Sequence, residues 1–190
     1  MTQKLYLGSG SPRRVELLRQ MNIPFEQRVL DVDEVYSQDL KGAAITDFLA
    51  KLKGEAQQKI LLPNEFVLTA DTIVWHNGMA LGKPKNEHDA MQMLSSLSGR
   101  THEVISSVCL SGIDSQKCTN DTTKVSMRKL TTEEIEHYVH TYKPLDKAGA
   151  YGIQEWIGLV GVAKIEGSYT NVVGLPTHKT FELLSTTQII

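Results

Sequence analysis

Residues 65–81 read EFVLTADTIVWHNGMAL, and no other stretch limits the possible fold so strongly. The β-branched and aromatic content is that of strand. Asn77-Gly78 near its end is a pair that tolerates the positive φ angles of a two-residue hairpin turn. Residues 101–130 add two more long β segments around a polar turn. Hairpins require antiparallel neighbours, yet the rest of the chain alternates strand and helix patterns as parallel α/β proteins do. The expected class is therefore α/β, with a mixed twisted sheet and flanking helices. No repeat, low-complexity tract or Pro/Gly/Ser linker interrupts the 190 residues, so 1–190 is read as a single domain.

Local signals fill in the order. KLYLG (4–8) is a short strand that runs into a loop of small residues. Ser11 then serves as N-cap and Pro12 as first helical residue, with Val15, Leu17, Leu18 and Met21 on one face. A second strand is expected over 23–30, followed by an acidic loop at 31–38. A helix over about 43–61 carries Ala44, Phe48, Leu52 and Ala56, and another spans about 87–97. Thr131 with Glu134 is a capping-box pattern opening a helix at 131–142. Residues 159–165 look strand-like, and a last helix covers about 177–185.

Charge excludes some functions. Twenty Lys and Arg against 22 Asp and Glu leave a net charge of -2, too little positive charge to coat nucleic acid or an anionic membrane. A polyanionic substrate would need a local cluster of Lys and Arg. No apolar run is long enough to span a bilayer, and the first residues do not resemble a signal peptide. Cys109 and Cys118 form no CxxC and suggest no paired framework, which fits a reducing, cytoplasmic setting.

Arg13-Arg14 stands in the opening turn of a helix, where cations oppose the helix dipole. Gly8, Ser9, Gly10 and Ser11 precede the pair. Backbone N–H groups, hydroxyls and guanidiniums gathered there have the composition of a phosphate site, though solvated surface charge is the simpler alternative. Asp71 is flanked by Leu68, Ile73 and Val74, and a carboxylate buried uncompensated costs several kcal/mol. Either the strand ends and exposes it, or a structural Lys pairs with it, or it binds a cation or accepts a proton from water. Weaker cases are Glu34 in the acidic loop beside Asp31 and Asp33, Lys53 on the long helix, and Lys83 between Gly82 and Pro84. Gly149 and Gly152 suggest a tight backbone path that presents Gln154, whose amide can match the edge of a pyrimidine. The histidines lack zinc spacing and no GxSxG elbow is present. Hydrolysis by a metal-activated water remains.

SGSPRR (9–14), Glu34, LAKLKGEA (49–56), ADTIV (70–74), GKP (82–84), LSGRTHEV (97–104), DKAGAYGIQ (146–154) and GSYTNVVGLP (167–176) occur in an order that resembles the Maf family of nucleoside triphosphate pyrophosphatases. The resemblance runs from Leu5 to about Leu184. It departs at Gly8, where alanine is common, and at Gly54, where the family usually has alanine. It implies two lobes around a cleft, similar to the inosine triphosphate pyrophosphatases, and cleavage between the α- and β-phosphates with a divalent cation, Mg or Mn. The DKAGAYGIQ segment looks like the branch acting on dTTP and UTP; another branch, acting on 7-methyl-GTP, has Glu at the Gln154 position. By matching position, Asp71 is the proton acceptor, and Arg13, Thr72 and Gln154 govern substrate choice. Ser9, Arg14, Glu34, Lys53 and Lys83 complete the polar site, with Glu34 and Asp71 as the metal-ligand candidates. The implied partner is a nucleoside triphosphate, and a symmetric homodimer is expected. House-cleaning of modified pyrimidine nucleotides is the expected role by analogy. The rival readings are a nucleotide-binding regulator of cell division or septum formation, and a 7-methyl-GTP pyrophosphatase.

Overall fold

The computed structural model describes residues 3–187, 189 and 190. Seven strands form one sheet in the order β2-β1-β3-β5-β6-β7, and β4 pairs with β3. β1 (Lys4–Leu7) runs parallel to both β2 (Glu26–Gln27) and β3 (Glu65–His76). β3 turns through Asn77 and Gly78, at φ 50° and 77°, into antiparallel β4 (Met79–Leu81). β5 (Thr101–Gly112) and β6 (Ser115–Met127) follow a two-residue turn apart, and β7 (Val162–Glu166) lies antiparallel to β6. The sheet is mixed, as the hairpin signal requires, and helices flank it.

Packing divides the chain into two compact units. The first gathers the chain up to Thr72, Ser106–Asp121 and the chain from Gly174 onward; the second gathers Ile73–Ile105 and Thr122–Val173. In the first unit, α1 (Pro12–Gln20) buries Leu17 and Leu18, and α7 (Thr177–Thr186) buries Leu183 and Leu184. α2 (Ala43–Gln58) buries Ile45, Thr46, Leu49, Ala50, Gly54 and Gln57. Lys53 falls between Leu49 and Gln57 at i,i+4 spacing, so its backbone stands on the inward stripe of the helix. The second unit has its own apolar core, built from Val74, Leu94, Leu97, Val104, Val125, Tyr138, Ile157 and their neighbours. Its helices are α3 (Glu87–Leu97), α4 (Thr132–Tyr142), α5 (Trp156–Gly161) and α6 (Tyr169–Val173). The capping box of α4 is complete: Thr131 accepts from the Glu134 amide, and Glu134 accepts from the Thr131 amide.

Four local expectations need correction. The strand expected over 23–30 is only Glu26–Gln27, because Val29 and Leu30 are exposed and bring no burial that would extend it. Leu159, Val160 and Gly161 belong to α5, not to a strand, and β7 starts at Val162. Ser11 occupies the N-cap position of α1, but its side chain does not cap the helix. The cysteines are not free: Cys109 and Cys118 are joined as a disulfide, with Cα atoms 4.1 Å apart. Spacing hid this pairing, since the two meet only after the β5–β6 turn folds back. Among the described residues no helix is long and apolar enough to cross a membrane.

Candidate active site

β3 does not end at Asp71. The strand continues to His76 and buries the carboxylate, which is 7% exposed. Of the alternatives left open by the sequence, exposure at a strand end is excluded, and a lysine does pair with the carboxylate. Lys53 Nζ donates to Asp71 Oδ1 at 2.7 Å and lies 3.0 Å from Glu34 Oε1. Two carboxylates from distant parts of the chain thus converge on one ammonium. Burial pushes the Asp71 carboxyl above its ordinary pKa, while Lys53 and then Arg14 pull it back toward the ionised form. The result is an enclosed carboxylate of raised basicity that remains charge-compensated, which suits a proton acceptor.

Arg14 has another task. Its Nε donates to the Gly174 carbonyl at 2.8 Å, and Nη1 donates to the Ala70 carbonyl at 2.9 Å and to Ser9 Oγ at 3.1 Å. Nη2 donates to Thr72 Oγ1 at 3.1 Å. All three nitrogens are therefore engaged by the protein, and two of the acceptors, Ala70 and Thr72, bracket Asp71. Ser9 Oγ also accepts from the Ser11 amide at 3.3 Å, which closes the small-residue loop on itself. The guanidinium is a pin between that loop and the strand carrying Asp71, and only Arg could supply donors in this planar fork. As a phosphate ligand, the role assigned from the motif, it has at most one N–H to spare.

Thr72 Oγ1 lies 2.8 Å from Ser106 Oγ and 3.3 Å from the Gly174 carbonyl. Sequence reasoning missed Ser106, which sits in a run of buried small residues on β5 with no motif to mark it. Gln57 was missed as well. It is 2% exposed, its Nε2 donates to the Arg28 carbonyl at 2.7 Å, and its Oε1 accepts from Arg28 Nε at 3.2 Å. Arg13 is partly exposed in the first turn of α1.

Ser9, Arg13, Arg14, Glu34, Lys53, Asp71 and Thr72 all belong to the first unit, whereas Lys83 and Gln154 are exposed residues of the second. Among the described residues no three His, Cys, Asp or Glu side chains gather as a metal site. Glu34 and Asp71 still offer oxygen donors suited to a hard divalent cation, and Mg²⁺ commonly takes only one or two carboxylates beside substrate phosphates.

The sequence profile of the family described as Maf-like protein matches residues 4–187. The dTTP/UTP pyrophosphatase of Flavobacterium johnsoniae is 52% identical over 183 residues, covering 96% of this chain and 94% of the relative. That of Christiangramia forsetii is 52% identical over 95% of this chain and 92% of its own length. For the Bacteroides fragilis protein of the same name the values are 50%, 95% and 94%. Among solved structures, the Staphylococcus aureus Ham1 protein is a distant likeness, at 17% identity and TM-score 0.48 over 66% of this chain and 72% of that one.

Proposed function

The chain belongs to the Maf family, and on that premise we propose that it is a dTTP/UTP pyrophosphatase, hydrolysing these nucleotides to the monophosphate and pyrophosphate. Relatives bearing that name share about half of its residues across nearly all of its length. The observation that carries the chemistry is the buried Asp71 carboxylate held against Lys53.

Asp71 accepts a proton from water as the water oxygen attacks the α-phosphorus. The bond from that phosphorus to the bridging oxygen breaks, and pyrophosphate leaves with the bonding pair. Lys53 keeps Asp71 ionised before the attack and offsets phosphate charge as it moves onto the leaving group. Ser9, Arg13 and Lys83 bind phosphate oxygens, while Arg14 acts through the loop and strand that it joins. Arg13, Thr72 and Gln154 select the substrate, with the Gln154 amide reading the O4/N3 edge of uracil or thymine. Glu34 and Asp71, together with the substrate phosphates, would hold a divalent cation, Mg²⁺ or Mn²⁺, which when bound would offset phosphate charge and acidify the attacking water. The chain works as a symmetric dimer, which light scattering would test.

Pyrophosphate release from dTTP, UTP, CTP, 7-methyl-GTP, dITP and ATP, compared between wild type and Asp71→Asn, tests the reading. Turnover should favour dTTP and UTP and fall about a hundredfold or more in the variant. Wild-type turnover by folded Asp71→Asn would remove Asp71 as the base. Failure of folded wild type to cleave any of these nucleotides would refute the enzymatic reading itself.

A further inference from the structure

Between Lys147 and Gly158 a single residue, Gln154, is exposed. The segment around it is fastened by three side chains of the second unit, Tyr138, Lys147 and Glu155, none of them among the candidate site residues. Tyr138, fully buried on α4, accepts from the Gly152 amide at 3.0 Å through its hydroxyl and donates through the same oxygen to Glu155 Oε2 at 2.5 Å. The other Glu155 oxygen lies 3.1 Å from Lys147 Nζ, itself on a residue only 8% exposed. A Cβ at Gly152 would come within 2.8 Å of the Glu155 carboxyl carbon, so the backbone at 152 and the carboxylate at 155 fit directly against each other. The Glu155 amide also donates to the Gly152 carbonyl at 3.0 Å.

Residues 152 and 155 are thus fixed from both sides, and Gln154 projects from the span they hold. Lys147 Nζ also meets the exposed Asp146 Oδ1 at 2.7 Å, and a half-buried ion pair is a costly way to stabilise a turn, since desolvation offsets much of its attraction. A long polar side chain on a loose loop would lose rotamer and backbone freedom on meeting a ligand, and a pre-set backbone removes part of that loss. Selectivity between groups that differ in one donor and acceptor depends on such placement.

We propose that Tyr138, Glu155 and Lys147 form a positioning device that orients Gln154 and thereby sets discrimination between the uracil and cytosine edges. The proposal rests on the reading of Gln154 as the base-selecting amide. Uracil presents a carbonyl and an N–H where cytosine presents an amino group and a bare nitrogen. An amide delivered from a fixed backbone meets the first pair at one place and angle, and one delivered from a loose backbone can shift to meet either. Loss of the network should therefore lower the ratio of kcat/KM for UTP to that for CTP, mainly through KM.

The experiment measures kcat and KM with UTP and CTP for wild type, Tyr138→Phe, Glu155→Gln, Gln154→Ala and the Tyr138→Phe/Gln154→Ala double variant. Tyr138→Phe should reduce the UTP:CTP ratio by about tenfold, and Glu155→Gln should move it in the same direction. Tyr138→Phe should then change the ratio no further once Gln154 is already alanine. A purely structural role would lower the amount of active enzyme and scale both substrates together, leaving the ratio intact. If Gln154→Ala loses the ratio while Tyr138→Phe and Glu155→Gln retain it, the positioning proposal is wrong and the base-reading role of Gln154 stands. A ratio retained by Gln154→Ala would overturn the base-reading role, and the proposal with it. Should Tyr138→Phe not fold, Glu155→Gln, which preserves the shape of the side chain, decides the outcome alone.

Discussion

Gly8→Ala is the most direct probe of how the loop before α1 is built. The chain has glycine where the family it resembles commonly has alanine, so the substitution looks harmless in sequence. In the structure a Cβ at this position would stand 2.6 Å from Gln57 Nε2, 2.8 Å from Thr69 Cγ2 and 3.1 Å from Val67 Cγ2. All three neighbours are almost fully buried. Gln57 cannot swing away without losing both of its bonds to Arg28. Overpacking of this kind costs about 1–3 kcal/mol, and each strained hydrogen bond adds about 1 kcal/mol. The loss of chain entropy in the unfolded state returns about 0.4–1 kcal/mol. The net expectation is a destabilisation of about 2 kcal/mol, or a fall of about 1 M in the urea midpoint with the slope unchanged. Gln57→Ala should be destabilising alone, yet the double variant should be more stable than the sum of the two by about 1 kcal/mol or more, because the new methyl enters the space the amide leaves. A Gly8→Ala midpoint equal to or above wild type would refute the steric argument.

Arg14→Lys keeps the charge but loses the fork that joins Ser9, Ala70, Thr72 and Gly174, so pyrophosphate release should fall by about 10–100-fold with a loss of stability; full activity would show that the pin is dispensable. Burial, and then the neighbouring His76, hold His102 down at about 4 from an ordinary 6.5. Its neutral form is favoured by folding, so that stability is fully present above pH 6.5 and is lost as pH falls toward 4, by about 2 kcal/mol at pH 5. Urea unfolding between pH 8 and 4 should show this loss, and His102→Gln should flatten it. Cys109→Ser should lower the melting temperature through a bridge that closes a short loop, with a cost of at most about 3 kcal/mol, while the UTP:CTP preference stays at the wild-type value; melting with and without reductant checks the same bond.

What could be read from the sequence follows the range of the forces involved. The Asn77-Gly78 turn and the capping box of α4 are written in residues close along the chain, and each is found in the structure. The α2 helix was legible too, but its buried face was not: Ala44 and Phe48 of the expected stripe are exposed, and Ile45, Leu49, Ala50 and Gly54 face inward instead. Asp71 was legible as an anomaly because apolar neighbours made its burial costly. Its partner was not, because Lys53 lies on a helix and reaches β3 only in the folded unit. Arg13-Arg14 read as two equivalent phosphate ligands. The acceptors that claim Arg14 include the backbone carbonyls of Ala70 and Gly174, and every residue type carries a carbonyl. Residues 159–161 read as strand because the six residues of α5, two of them glycine, give no helical period. The disulfide was missed because nothing in the spacing of two cysteines shows which strands will lie side by side.

The pin at Arg14 also says something about when the site can exist during synthesis. Its last acceptor, the Gly174 carbonyl, lies 160 residues downstream. At a synthesis rate of about 5–20 residues per second, the guanidinium waits roughly 8–30 s after its own incorporation before that carbonyl is made. Until then α1 can form and β1 can pair with β3, but the loop before α1 lacks one of its ties. The nascent chain therefore gains its fold in pieces, and its site is completed only after Gly174 has been joined.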